Sequence, residues 1–352
     1  MHENSLEKLS RYAAEQGIPL NGMFELTRRC NLRCRFCYVC DRSVQAREAP
    51  EKTADEWLYM IRKAADAGMF VCTFTGGEPF LREDFEEIYC KTYDIGLRVA
   101  IFTNATLIGH KQMAYLQKRV PLFVSISLYG ASPESYRLIC GSEEAYHLSQ
   151  SAISKLCGAG ITVKLKTLAL RPLMDEYEAI GHVAAACHCP GAIDVYLGPG
   201  RDDPNRESRR WRIPMDRIPA AIAAFARGAG IPPEDSLAEK TQAPPSGWNL
   251  PAILCRAGKS AFTITHDGRM LGCPTLTCFE SHPFADGFTA AWAHLRDQVE
   301  HAQPCLECES CPHIHSCLLC AANRVKETGS VSRCSAYLKR LACALDVKNS
   351  AG

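Results

Sequence analysis

Met23-Phe-Glu-Leu26-Thr-Arg-Arg-Cys30-Asn-Leu-Arg-Cys34-Arg-Phe36-Cys37 sets a short apolar run directly ahead of a loop that holds three cysteines. An apolar run of this length bounded by polar residues reads as a buried strand, so the cysteines stand in the loop that leaves its carboxyl end. Downstream the pattern repeats. Runs rich in β-branched and aromatic residues at Phe70–Thr75, Arg98–Phe102, Leu122–Ser127, Val163–Ala169 and Ile193–Leu197 alternate with amphipathic stretches. Those stretches, Ala54–Ala67, Asp84–Tyr93, Gly109–Lys118, Ala145–Ala159 and Asp175–Ala186, carry apolar residues at helical spacing. The alternation predicts an α/β fold: a partial (β/α)6 barrel around a parallel sheet, over residues 22–197.

Parallel α/β architectures collect functional residues at the carboxyl ends of their strands. Cys30 to Cys37 follow the first candidate strand, Gly76-Gly77-Glu78-Pro79 the second and Thr103-Asn104 the third, while Ser127 ends the fourth. These motifs point at one rim.

The flanks read differently. Residues 1–21 form a polar N-terminal extension with a helix over Leu6–Gln16 and no signal-peptide core. Residues 198–250 are rich in proline, among them Pro199, Pro204, Pro214, Pro232, Pro233, Pro244 and Pro245, and read as a linker with one helix over Pro219–Ala229. Residues 251–352 are loop-rich and dense in cysteine, so metal binding is expected to contribute to their folding. No apolar run is long enough to span a membrane.

The 20 cysteines therefore belong to a long, unsignalled chain expected in the cytoplasm, where thiols stay reduced and metal ligation is the leading use. With 40 Lys plus Arg against 39 Asp plus Glu, the charge balance favours neither nucleic acid nor an anionic membrane as partner.

Three thiolates from one short loop suit a cubane cluster in which three irons take protein ligands and the fourth keeps an open position. Cys30-Asn-Leu-Arg-Cys34-Arg-Phe36-Cys37 resembles the signature of the radical S-adenosylmethionine superfamily, including the aromatic residue before the third cysteine. The resemblance implies that the methionine moiety of the cofactor chelates the open iron of a 4Fe-4S cluster and that Gly76, Gly77, Glu78 and Pro79 receive its ammonium. Glycines permit close backbone approach, and a carboxylate suits a cation. By the same resemblance Phe36, Asn104, Ser127 and Arg137 contact the cofactor, with Arg137 neutralising its carboxylate. Ala105 stands where the family commonly has glycine, a departure that bears on the angles of that turn.

Cys255, Gly268-x4-Cys273, Cys308-x2-Cys311-x5-Cys317-x2-Cys320 and Cys334 resemble the SPASM extension of radical enzymes that modify peptides. That family houses two auxiliary 4Fe-4S clusters, so three are expected in all. Its interleaved ligation implies Cys255, Cys273 and Cys320 for the first and Cys308, Cys311, Cys317 and Cys334 for the second. Cys278 and Cys305 are the candidates for a missing fourth ligand of the first, or else that iron is open and could meet a substrate thiolate. The interval from Cys317 to Cys320 is one residue shorter than the family's usual one. Structural zinc, with His313 or His315 as a further ligand, and a ferredoxin-like run from Cys305 are rival readings of the same cysteines.

The implied activity is oxidative crosslinking, by a thioether or carbon-carbon bond, of a ribosomally made peptide. Sulfatase-maturase-like or small-molecule radical chemistry is the alternative, and an electron-transfer or zinc-binding protein is the reading of a different class. Pro274, directly after Cys273, replaces the carboxylate expected of sulfatase maturation. The stretch ahead of Met23 is too short for a leader-binding domain, which leads to the expectation of a separate leader-recognition protein or of a substrate bound without a leader, and electrons would come from a flavodoxin- or ferredoxin-type reductant. Tyr38, Asp41 and Arg201 read as structural or solvated. Cys40, Cys72, Cys90, Cys140, Cys157, Cys187 and Cys189 fall outside both signatures and read as buried or surface thiols.

Overall fold

A computed structural model describes residues 5–39, 51–189, 191–201, 207–232 and 250–346. Cys40, Asp41, Pro204 and the linker residues 233–249 lie outside the described residues. Helix α1 (Ser5–Gln16) leads into β1 (Asn21–Glu25), and α2 (Ala54–Asp66), β2 (Val71–Thr75), α3 (Phe85–Asp94), β3 (Arg98–Thr103), α4 (His110–Lys118) and β4 (Phe123–Ser127) follow in alternation. The crossover to β5 (Val163–Leu168) contains two helices, α5 (Pro133–Cys140) and α6 (Glu144–Gly158), and α7 (Tyr177–Ala186) leads to β6 (Gly191–Asp194).

The strands pair in parallel in chain order from β1 to β6, as the alternation predicts, and the sheet stays open. Local chemistry explains the helix starts. At α2, Thr53 Oγ1 accepts from Glu56 N at 3.2 Å while Glu56 Oε2 accepts from Thr53 N at 2.8 Å, a reciprocal cap from a Thr-x-x-Glu sequence. Helix α5 escaped the periodicity reading because it is only eight residues long, although Ser132 caps Ser135 N at 3.2 Å and Gly141 closes the helix at φ 82°.

Helix α8 (Ile218–Ala229) does not hang in a linker: it packs on α7 so closely that a Cβ on Gly228 would meet the Glu178 carbonyl oxygen at 1.9 Å. Beyond it, β7 (Ala261–Ile264) pairs in parallel with the free side of β1, and β8 (Met270–Leu271) and β9 (Glu280–Ser281) continue antiparallel. The sheet thus crosses the expected boundary at residue 250. Helices α9 (Pro283–Asp286), α10 (Phe288–Glu300), α11 (Leu306–Glu309), α12 (Ala321–Thr328) and α13 (Ala336–Ala344) complete the described chain.

One apolar core joins the two parts. Phe24 of β1 meets Trp57 of α2 edge-on at 6.2 Å and Phe262 of β7 at 5.8 Å, and Phe262 in turn packs on Phe288 and Trp292 of α10. Stacked edges of this kind add to area burial by about 1 kcal/mol each. Among the described residues no helix is long and apolar enough to cross a membrane.

Candidate active site and cysteine groups

The loop after β1 and the loop after β2 are sewn together through backbone atoms. Gly77 N donates to the Thr27 carbonyl and Glu78 N to the Arg29 carbonyl, each at 2.8 Å. A Cβ on Gly76 would stand 2.4 Å from the Thr27 oxygen, and one on Gly77 2.3 Å from the Arg29 oxygen. Gly76 also holds φ at 145°. Both glycines are therefore required by the approach of the cysteine loop.

Glu78 is completely buried and accepts from Thr103 Oγ1 at 2.7 Å, Asn104 N at 2.8 Å and Phe80 N at 3.2 Å. Burial pushes its carboxyl up to about 7 against these three donors. Pro79 opens a 3-10 turn, Pro79–Leu81, whose first amide Glu78 caps.

Asn104 carries the cysteine loop from the third strand. Its Nδ2 donates to Asn31 Oδ1 at 3.0 Å and approaches Cys30 Sγ at 3.7 Å, while its Oδ1 accepts from Thr106 N at 2.9 Å. Ala105 adopts φ 64°, so the turn keeps a left-handed conformation without glycine. From the other side α5 grips the loop: Arg33 N donates to the Cys140 carbonyl at 2.9 Å and Arg35 N to that of Ile139 at 3.1 Å. Phe36 is buried in the main core.

The thiols of Cys30, Cys34 and Cys37 lie within electrostatic reach of one another. Burial raises the Cys30 thiol to about 11 and holds that of Cys34 well above the ordinary range, although Tyr129 donates a hydrogen bond to Cys34. Free thiols in this setting keep their protons; a cationic cluster would take them as thiolates. The donor set therefore fits a three-liganded iron-sulfur cluster.

Ser127 ends β4 half-buried, in register with Lys166. Arg137 is not gathered into this group: its guanidinium is 66% exposed and pairs with Glu143 at 2.8 Å. Arg201 and Tyr38, read as structural or solvated, are buried at the rim, where Arg201 lies over the Tyr38 ring and pairs with Glu25. The sequence reading gave no role to Asn31, Thr106 or Tyr129, and Thr103, quoted beside Asn104, proves to hold Glu78. Asn31 and Thr103 sit inside or beside quoted motifs, whereas nothing local marks Tyr129.

The C-terminal cysteines fall into two groups. Cys273 is within electrostatic reach of Cys255, Cys278 and Cys320. Cys308, Cys311, Cys317 and Cys334 line one cavity with Leu319 and Leu338. Cys305 hydrogen-bonds with Cys308, so it belongs with the second group. The short Cys317–Cys320 interval turns through Leu319 at φ 48°, whose amide donates to Cys317 Sγ at 3.4 Å. Among the described residues no three His, Cys, Asp or Glu side chains form a site for a single metal ion. The ligands of a cubane sit on separate irons and need not converge on one point.

Residues 24–182 match the model of the Radical SAM superfamily. The PqqA peptide cyclase of Bradyrhizobium diazoefficiens is 32% identical over 144 residues, 40% of this chain and 37% of that protein. The antilisterial bacteriocin subtilosin biosynthesis protein AlbA of Bacillus subtilis is 27% identical over 222 residues, 59% of this chain and 47% of that protein. The chain thus spans less than half the length of these relatives. Streptococcus suis SuiB bound to S-adenosylmethionine superposes with a TM-score of 0.70 over 96% of this chain and 84% of that one, at 14% identity, a likeness of fold.

Proposed function

We propose that this chain, whose residues 24–182 form a radical SAM domain, is an enzyme that oxidatively crosslinks a ribosomally made peptide. The observation that carries the reading is the sewing of the Cys30–Cys37 loop to Gly76-Gly77-Glu78, which sets three thiols beside a buried carboxylate. The peptide-modifying relatives support the substrate class.

In this reading Cys30, Cys34 and Cys37 hold a 4Fe-4S cluster. The Glu78 carboxylate and the carbonyls of Gly76 and Gly77 receive the ammonium of S-adenosylmethionine, with Pro79 holding the turn and Phe36 bracing the loop. Together the two groups supply a deoxyadenosyl radical that removes a hydrogen atom from carbon. Asn104 fixes the loop that carries Cys30, and Ser127 offers a hydroxyl from the next strand end. Arg137 would exchange Glu143 for the cofactor carboxylate.

Residues 22–197 then form most of the radical part, after the extension 1–21; α8 of the stretch 198–250 packs on it, and β7 of the auxiliary part, 251–352, extends its sheet. Cys255, Cys273, Cys278 and Cys320 hold the first auxiliary cluster, which makes Cys278 its fourth ligand. Cys308, Cys311, Cys317 and Cys334 hold the second, with Cys305 as a buried neighbour. The Pro274 backbone carbonyl accepts from Arg201 Nε at 2.8 Å, and its ring offers no carboxylate where sulfatase maturation calls for one. A separate leader-recognition protein and a flavodoxin- or ferredoxin-type reductant complete the reading.

Anaerobic reconstitution tests it. About twelve irons per chain, four for each cluster, and release of deoxyadenosine under dithionite are expected. Mass loss of about two hydrogens per crosslink in a coexpressed neighbouring precursor peptide is expected as well. Tightly bound zinc without cofactor cleavage would overturn the reading. Cys278→Ser should lower the iron content by a fraction of one cluster, whereas Cys305→Ser should leave it unchanged.

A further inference from the structure

Three thiols outside both cysteine signatures meet at the opposite end of the barrel from Cys30 and Glu78. Cys157 lies in the last turn of α6, Cys187 caps the end of α7, and Cys189 stands just ahead of β6. In a parallel sheet these helix ends lie at the amino ends of the strands they feed.

Cys157 Sγ and Cys189 Sγ are 3.4 Å apart. The Cys187 thiol is within electrostatic reach of both, and Cys189 Sγ donates to the Cys187 carbonyl at 3.3 Å. Cys189 is 8% exposed, whereas Cys157 and Cys187 are half-buried. Among the other described thiols outside the signatures, Cys72 is sealed in the core, and Cys140 Sγ donates to the Tyr136 carbonyl at 3.0 Å.

We propose that Cys157, Cys187 and Cys189 form a thiol-disulfide exchange site in which Cys157 and Cys189 close into a disulfide at the expense of a low-molecular-weight disulfide of the glutathione type. The Cys157 thiolate attacks one sulfur of the external disulfide, which releases one thiolate and leaves a mixed disulfide on Cys157. Cys189, already in contact, attacks the Cys157 sulfur; the mixed disulfide breaks and the second small thiol leaves. Two protein thiols and one external disulfide thereby become one protein disulfide and two small thiols, the two protons passing to the departing thiolates. The more accessible Cys157 meets the oxidant, and the buried Cys189 resolves the adduct. Cys187, beside both sulfurs, gives the bond a third position to which it can migrate. The crosslink ties α6 to the entry of β6, the edge strand of the open barrel.

The full-length protein with its clusters is incubated anaerobically with oxidised glutathione, quenched in acid, alkylated and mapped by mass spectrometry, with iron measured in parallel. A linked Cys157–Cys189 peptide should exceed any other cysteine pair roughly tenfold, as expected for thiols held in contact, with iron unchanged. Cys189→Ala should trap glutathione on Cys157, and Cys157→Ser should leave Cys189 unmodified. The proposal is overturned by absence of the linked peptide at ratios that glutathionylate other thiols. A wild-type Cys157 adduct that never resolves, or iron loss in step with the disulfide, overturns it equally. None of these readouts requires substrate turnover.

Discussion

Arg201 grips Glu25 with both arms of its guanidinium. Nη1 donates to Oε2 at 2.6 Å, Nη2 donates to Oε1, and both side chains are almost wholly buried, at 4% and 0% exposure. The same arginine donates through Nε to the Pro274 carbonyl. One side chain therefore ties the end of β1 to the segment that carries Cys273. Arg201→Ala should destabilise the protein by about 3–5 kcal/mol, because it leaves a buried carboxylate without its partner. Urea unfolding of the variant beside a Glu25→Leu/Arg201→Met double variant checks this. The double variant should recover most of the loss, and equal losses would show that packing matters more than charge.

Cys34→Ala should abolish cleavage of S-adenosylmethionine, since in the proposed reading it removes one of three protein ligands of the radical cluster. Cys311→Ala should lose the distal cluster and product formation while some cleavage survives. Chromatographic assay of deoxyadenosine in both variants decides the matter. Equal residual cleavage would mean that the radical cluster is assigned to the wrong cysteines.

Glu78 predicts a pH dependence. Burial raises its carboxyl from 4.5 to about 7. The folded state therefore keeps a proton that the unfolded chain gives up, and the stability this group contributes is full below the unfolded value and lost as pH rises through about 7. In the proposed reading cofactor binding runs the other way, because Glu78 holds the amino group of the cofactor as a carboxylate. Affinity for S-adenosylmethionine should rise with pH and level off above about 7, with a slope below that of up to about tenfold per pH unit. Equilibrium dialysis of the cluster-loaded protein at several pH values should give this slope, and Glu78→Gln should flatten it.

Ala105 holds a left-handed backbone, φ 64°, between Asn104 and Thr106. Replacing it with glycine removes a strain of about 1 kcal/mol, partly offset by the greater freedom of glycine in the unfolded chain. Ala105→Gly should raise the denaturation midpoint slightly and leave the cysteine loop intact. Any fall in the midpoint would show that the Ala105 methyl, fully buried in the main core, contributes more by packing than the turn loses by strain.

The alternation of strands and helices is legible in the sequence, because apolar periodicity and capping chemistry such as Thr53-x-x-Glu56 act within a few residues. The three-cysteine loop and the glycine segment are legible there too, since each motif is contiguous. The packing of the folded chain fixed how distant segments meet. It set β7 beside β1, brought Arg201 onto Glu25, grouped Cys278 with Cys273 and Cys305 with Cys308, and left Arg137 on Glu143. No local pattern encodes these pairings. They follow from which surfaces remain unburied once the local elements have formed, and from the cost of leaving a charge or a sheet edge without a partner.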